Sequence, residues 1–144
     1  MYAPVPAPAL PIEHPHLRAR AMLAVSRLVV RELERAGRLA DDRPELSLAT
    51  LERWLDGEEP IAAVHEALDT MAAAVSDDQE VVSATRCVLW TLRVQPVGVE
   101  RAAEVARAVT ERAVSVLVAL GETQAAATHR VHETWRAAYA PASP

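Results

Sequence analysis

The chain has 144 residues, with 20 acidic and 15 basic side chains and a net charge of −5, a length that fits one domain. A chain of about 150 residues buries roughly 68–70% of its unfolded surface and needs no staple, and the single cysteine, Cys87, excludes an internal disulfide framework. No stretch approaches about 18 uninterrupted apolar residues, which argues against a membrane span.

Alanine supplies 29 of the residues and aromatics only five, while Lys, Phe and Asn are absent. Such thin side chains suit helices packed closely at their Ala faces better than a sheet, which wants β-branched and aromatic residues. The exclusive use of Arg reads as the codon bias of a GC-rich genome. A lone cysteine and the lack of a charged, then apolar N-terminal segment point to a reduced, cytoplasmic setting.

Residues 1–16 hold five of the ten prolines. Pro fixes φ and removes backbone donors, so this segment reads as an extended arm or tail, with Tyr2, Val5, Leu10 and Ile12 as its anchors if it lies along a surface. A helical domain over 17–140 follows, then a tail over 141–144. After Pro15, Met22, Val25, Val29, Leu33 and Ala36 make one apolar stripe, and Gly37 is the stop. Pro44 opens a short second helix with Leu48, Leu51 and Leu55 on one side, ended by Gly57. Pro60 opens a third with Ile61, Val64, Leu68, Met71 and Val75 as its stripe. Ser76 reads as the N-cap of the fourth, with Gln79 completing a capping box. That helix runs to about Val94, with Val81, Thr85, Val88 and Leu92 inward. Pro96 and Gly98 break the chain. The fifth helix carries Val99, Ala102, Ala106, Val109, Ala113, Val116 and Leu120, with Gly121 as its stop. A sixth, from Thr123 to Ala140, carries Val131, Trp135 and Ala138. The short connections predict an all-α fold, an antiparallel bundle of five to six helices with a Pro-rich extended N-terminal arm.

Enzymatic signatures are lacking. The four glycines are explained as helix stops or turns and leave no phosphate cradle. Cys87 sits beside the stripe of helix four and reads as a small buried hydrophobe. His65 precedes Glu66-Ala67-Leu68, not the Lys and Gly that follow a phosphotransfer histidine. His129, His132 and Glu133 share a helical face, but a zinc site needs further ligands that nothing places nearby. The reading is of a non-enzyme without metal or cofactor.

Charge is the sharpest feature. Residues 41–80 hold twelve acids and two arginines, a net −10, against +5 elsewhere. A field of that sign attracts basic proteins and repels nucleic acid. Arg27, Arg31, Arg35 and Arg38 form a stripe on helix one that would pair with this block if the two pack together. The acids gather at helix ends, Asp41-Asp42, Asp56 to Glu59 and Asp77-Asp78, with Trp54 among them as a candidate anchor.

The segment Asp41-Asp42-Arg43-Pro44, then Leu48-Ala49, then Trp54-Leu55-Asp56-Gly57-Glu58 resembles a family of bacterial immunity proteins encoded beside polymorphic toxins. Those are small all-α proteins with a D-x-R-P … W-x-x-G-E segment followed by Ala-rich helices. The likeness spans 20–115 in general character and is specific only over 41–58. In helices four and five this chain reads Ala84-Thr85-Arg86-Cys87 and Ala102-Ala103-Glu104 where the family has His-bearing Ala-Gly motifs. The resemblance implies a non-catalytic inhibitor that occludes its toxin. Together with the charge it predicts a protein-binding module whose acidic face, Asp41, Asp42, Glu45, Glu52, Asp56, Glu58 and Glu59 around Trp54, takes a basic protein partner and neither nucleic acid nor membrane. The alternatives are a self-associating structural or adaptor protein, in which a homodimer would form, and a metal-binding bundle.

Overall fold

The computed structural model describes residues 15–93 and 98–139. Residues 1–14 of the arm expected over 1–16, with its four anchors, the break at Pro96 and the tail over 141–144 lie outside them, while Pro15 and His16 of that arm belong to the first helix. The described residues form six helices and no strand: α1 (Pro15–Arg35), α2 (Arg43–Leu55), α3 (Ile61–Ala72), α4 (Gln79–Leu92), α5 (Val99–Ala119) and α6 (Gln124–Tyr139). The expected all-α bundle is the observed one. α1 begins at Pro15 and not after it, because a proline in the first turn gives up an N–H that would have no helical partner.

The stops are local and were legible. At Gly37 and Gly57 φ is +69° and +79°, a region that costs any residue with a Cβ. Each lets the next N–H reach back over the helix end, Arg38 to the Leu33 carbonyl at 3.0 Å and Glu58 to the Arg53 carbonyl at 2.7 Å.

Two apolar clusters share α1 and α4. The first joins Met22, Val25, Val29 and Leu33 of α1 to Cys87 of α4, to Ala106, Val109, Ala113, Val116 and Leu117 of α5, and to Val131 and Trp135 of α6. Five buried alanines, Ala21, Ala84, Ala106, Ala113 and Ala127, belong to it and let these helices approach closely. The second joins Ala19, Leu23 and Val30 of α1 to Leu48, Leu51 and Leu55 of α2, Val64 and Met71 of α3, and Val88 and Leu92 of α4. α1 thus carries two stripes, of which only the first was read from the sequence. Each fully buried Val or Leu contributes about 1.5–3 kcal/mol, which makes α1 the element that welds the α2–α3 hairpin to the bundle.

Hydroxyls fill the polar gaps. Ser26 and Thr91 lie 2.9 Å apart between α1 and α4, and Thr91 also donates to the Cys87 carbonyl at 2.7 Å. Both are buried, as is Thr110, which accepts from Trp135 Nε1 at 3.0 Å.

Five expectations are corrected. Ser76 is not the N-cap of α4: Asp78 is, accepting from the Glu80 and Val81 amides, while Ser76 Oγ accepts from the Asp78 amide. A carboxylate competes better than a hydroxyl for the positive end of the helix dipole. Val75 is 91% exposed, because α3 ends at Ala72 and the stripe runs past it. Ile61, at the open start of α3, and Ala36, in the turn after α1, are exposed too. α4 ends at Leu92, short of Val94.

Candidate functional site

The acidic block folds into α2, α3, the first turn of α4 and the connections around them. Its charge is distributed unevenly. α1 packs on α2 and α4, and its arginines meet part of the block: Arg20 pairs with Asp56 at 2.8 Å, and Arg27 with Glu52. From the α1–α2 connection Arg38 grips Asp78 through two N–H bonds of 2.8 and 2.5 Å and lies 3.6 Å from Glu80. The expected pairing of helix one with the block is therefore present, but it uses Arg20, Arg27 and Arg38, while Arg35 turns to Glu32 of its own helix. Inside the block Arg43 pairs with Asp41 and Arg53 with Glu59. The guanidinium of Arg38 holds the Asp78 carboxyl below the ordinary carboxylate range, with the Val81 and Glu80 amides adding to the effect. Arg43 does the same for Asp41.

Of the eight residues expected to form the face, Asp41, Glu52, Asp56 and Glu59 are thus engaged by arginines of the same chain. Asp42, Glu45 and Glu58 have no ion-pair partner among the described residues, and the same holds for Glu66 and Asp69 of α3. Trp54 is half-buried against the second cluster, and its ring centroid lies 5.3 Å from that of His16. It belongs to the core as much as to the surface.

Between α2 and α3 runs a shallow groove of about 260 Å³, lined by Leu46, Ser47 and Thr50 on one side and Ala63, Glu66, Ala67 and Thr70 on the other, with Arg43 and Glu59 at its edges. Leu46 is 58% exposed there, the largest apolar surface the groove offers. Leu46 was not singled out from the sequence, because it stands two residues before the stripe residue Leu48 and reads as a stray apolar on the outer face. Glu66 was counted with the block and not assigned to the face, since nothing in the sequence shows that α3 lies against α2.

The remaining candidates for chemistry are dispersed. His129 is exposed, His132 half-buried, and Glu133 pairs with Arg136. Among the described residues no three His, Cys, Asp or Glu side chains come together as a metal site. Cys87 is buried and its thiol is pushed up to about 12 by desolvation, which keeps it protonated and inert. No helix of the described residues is long and apolar enough to cross a membrane. No protein-family model, curated protein or solved structure matches the chain.

Proposed function

We propose that the chain is a protein-binding module that presents the outer face of the α2–α3 hairpin to a basic protein, as an immunity-type inhibitor does when it occludes its toxin. One observation carries the reading. Five carboxylates of this hairpin and its N-cap, Asp42, Glu45, Glu58, Glu66 and Asp69, have no arginine against them among the described residues, although Asp41, Glu52, Asp56, Glu59, Asp78 and Glu80 of the same block are met by Arg20, Arg27, Arg38, Arg43 and Arg53. Unpaired surface acids keep their full field for a partner, steering encounter and specificity more than raw affinity. The exposed Leu46 in the groove beside Glu66 supplies an apolar contact of the kind that anchors an interface. The resemblance over 41–58 points to the same class of protein.

The test is binding of the purified chain to the products of its neighbouring genes, by surface plasmon resonance at low and high salt. Charge reversal at Glu58, Glu66 and Asp69 should slow association at least tenfold at low salt, while reversal at Asp56, already engaged by Arg20, should change it less. Equal association by the wild type and the triple variant at low salt would sink the steering claim.

A further inference from the structure

Among the described residues α3 packs against α2 and α4 only, and α5 packs against α1, α4 and α6. The space that α3 leaves beside α5 is a cavity of about 330 Å³ whose walls come from four helices: Arg18 and Met22 of α1, His65 and Leu68 of α3, Trp90 and Leu92 of α4 with Arg93 at its end, and Arg101, Ala102 and Val105 of α5. That volume lies at the low end of small-molecule sites, roughly 300–1,000 Å³. Its lining runs against the protein's net charge of −5. Three arginines and a histidine line it, and no carboxylate among the described residues does. Arg18 is only 7% exposed. Arg93 has no carboxylate partner among the described residues, and Arg101 meets only Glu104, at 3.4 Å and on the solvent side. The remaining walls, Met22, Leu68, Trp90, Leu92, Ala102 and Val105, are apolar. Arg112 lies over the Trp90 ring, 5.2 Å from its centroid, and braces that wall by cation–π contact.

We infer that this cavity is a binding site for a small amphipathic anion, an apolar body terminated by a carboxylate or a phosphate. The apolar body would rest on Leu68, Trp90 and Val105, and the anionic group would be held by Arg93 and Arg101. Arginine suits this role because its planar fork donates two parallel N–H bonds to either oxyanion. Charge complementarity is the argument: Arg93 and Arg101 at the cavity, in a protein of net charge −5, select for an anion, and the apolar walls select against a fully hydrated one. The site is separate from the acidic groove. His65 lines the cavity and the next residue, Glu66, lines the groove, so α3 is the wall between the two.

The experiment is isothermal titration of the full chain with octanoate, octyl phosphate, octanol and inorganic phosphate, with Trp fluorescence as a second readout. Octanoate or octyl phosphate should bind at least tenfold tighter than octanol and than inorganic phosphate, and the stronger of the two anions identifies the headgroup. Arg93→Ala combined with Arg101→Ala, both exposed, should weaken the preferred anion at least tenfold and leave the melting temperature unchanged. Leu68→Gln should weaken it as well. Octanol binding as tightly as the anions, undiminished anion binding by the double Arg variant, or no binding of either amphipathic anion up to millimolar concentration would each overturn the assignment. None of these outcomes bears on the groove, whose variants lie on the other side of α3.

Discussion

Arg38 clasps Asp78 with two N–H bonds of 2.8 and 2.5 Å, and through it the connection after α1 is tied to the N-cap of α4. One carboxylate thus caps a helix, neutralises an arginine and removes a charge from the acidic block. The Asp78 carboxyl is held below the ordinary carboxylate range by this contact. A group whose pKa is lowered on folding stabilises above its unfolded value, about 3.9, and loses that stabilisation as pH falls through its folded value. Asp78→Asn keeps a capping oxygen and loses the charge. The stability gap between wild type and Asp78→Asn should be constant from pH 7 to about pH 5 and close below about pH 4. Urea denaturation at pH 7, 5 and 3.5 measures it, and a gap that widens at low pH would contradict the assignment.

The buried indole of Trp135 donates to Thr110 Oγ1, which itself donates to the Ala106 carbonyl at 2.8 Å. Thr110→Val should cost about 1–3 kcal/mol, because it strands a buried N–H. In the background of Trp135→Phe the same substitution should cost less, since no donor is left to strand. Additive costs in that double-mutant cycle would show that the bond contributes nothing.

At the boundary of the two clusters Thr91 has the Cys87 carbonyl as well as Ser26. Ser26→Ala should therefore lower stability by no more than about 1 kcal/mol, as the partner keeps a hydrogen bond. Thr91→Val should cost more, because Ser26 then faces an apolar group. Thermal denaturation of the two single variants ranks them.

Cys87 is buried and its thiol is raised to about 12. Thiol reagents at pH 8 should modify the native protein roughly 10³-fold or more slowly than the urea-unfolded chain, because only the unfolded fraction, about 10⁻³ or less, presents the thiolate. Comparable rates in the two states would mean that α4 and α5 open locally.

The acids divide into two classes that stability measurements can separate. Glu52→Gln and Asp56→Asn break pairs with Arg27 and Arg20 and should each lower stability by up to about 1 kcal/mol at low salt, the effect fading as salt is raised. Glu58→Gln and Glu66→Gln touch no pair and should stay within about 0.5 kcal/mol of wild type. Urea midpoints at two salt concentrations decide it.

What the sequence by itself determined is local. Helix stripes such as Leu48–Leu51–Leu55 or Ala106–Val109–Ala113, and stops such as Gly37 and Gly57, follow from a 3.6-residue period and from backbone geometry that each residue carries wherever it sits. The stripe of α3 misled at Val75, because apolar spacing continues past the point where the helix has a surface to cover. Ser76 misled because two polar residues near a helix start compete, and the one that also meets Arg38 wins. The all-α class and the acid–arginine pairing were legible for the same reason that they are coarse: both follow from composition. Only the tertiary structure decided the rest. The second stripe of α1 became core because the α2–α3 hairpin docks there. The block divided into acids held by arginines and acids left to solvent because pairing depends on which helices touch. Arg18, His65, Arg93 and Arg101 line one cavity although they are scattered along the chain. An ion pair forms only within about 4 Å, and no spacing in a sequence records which distant helices come that close.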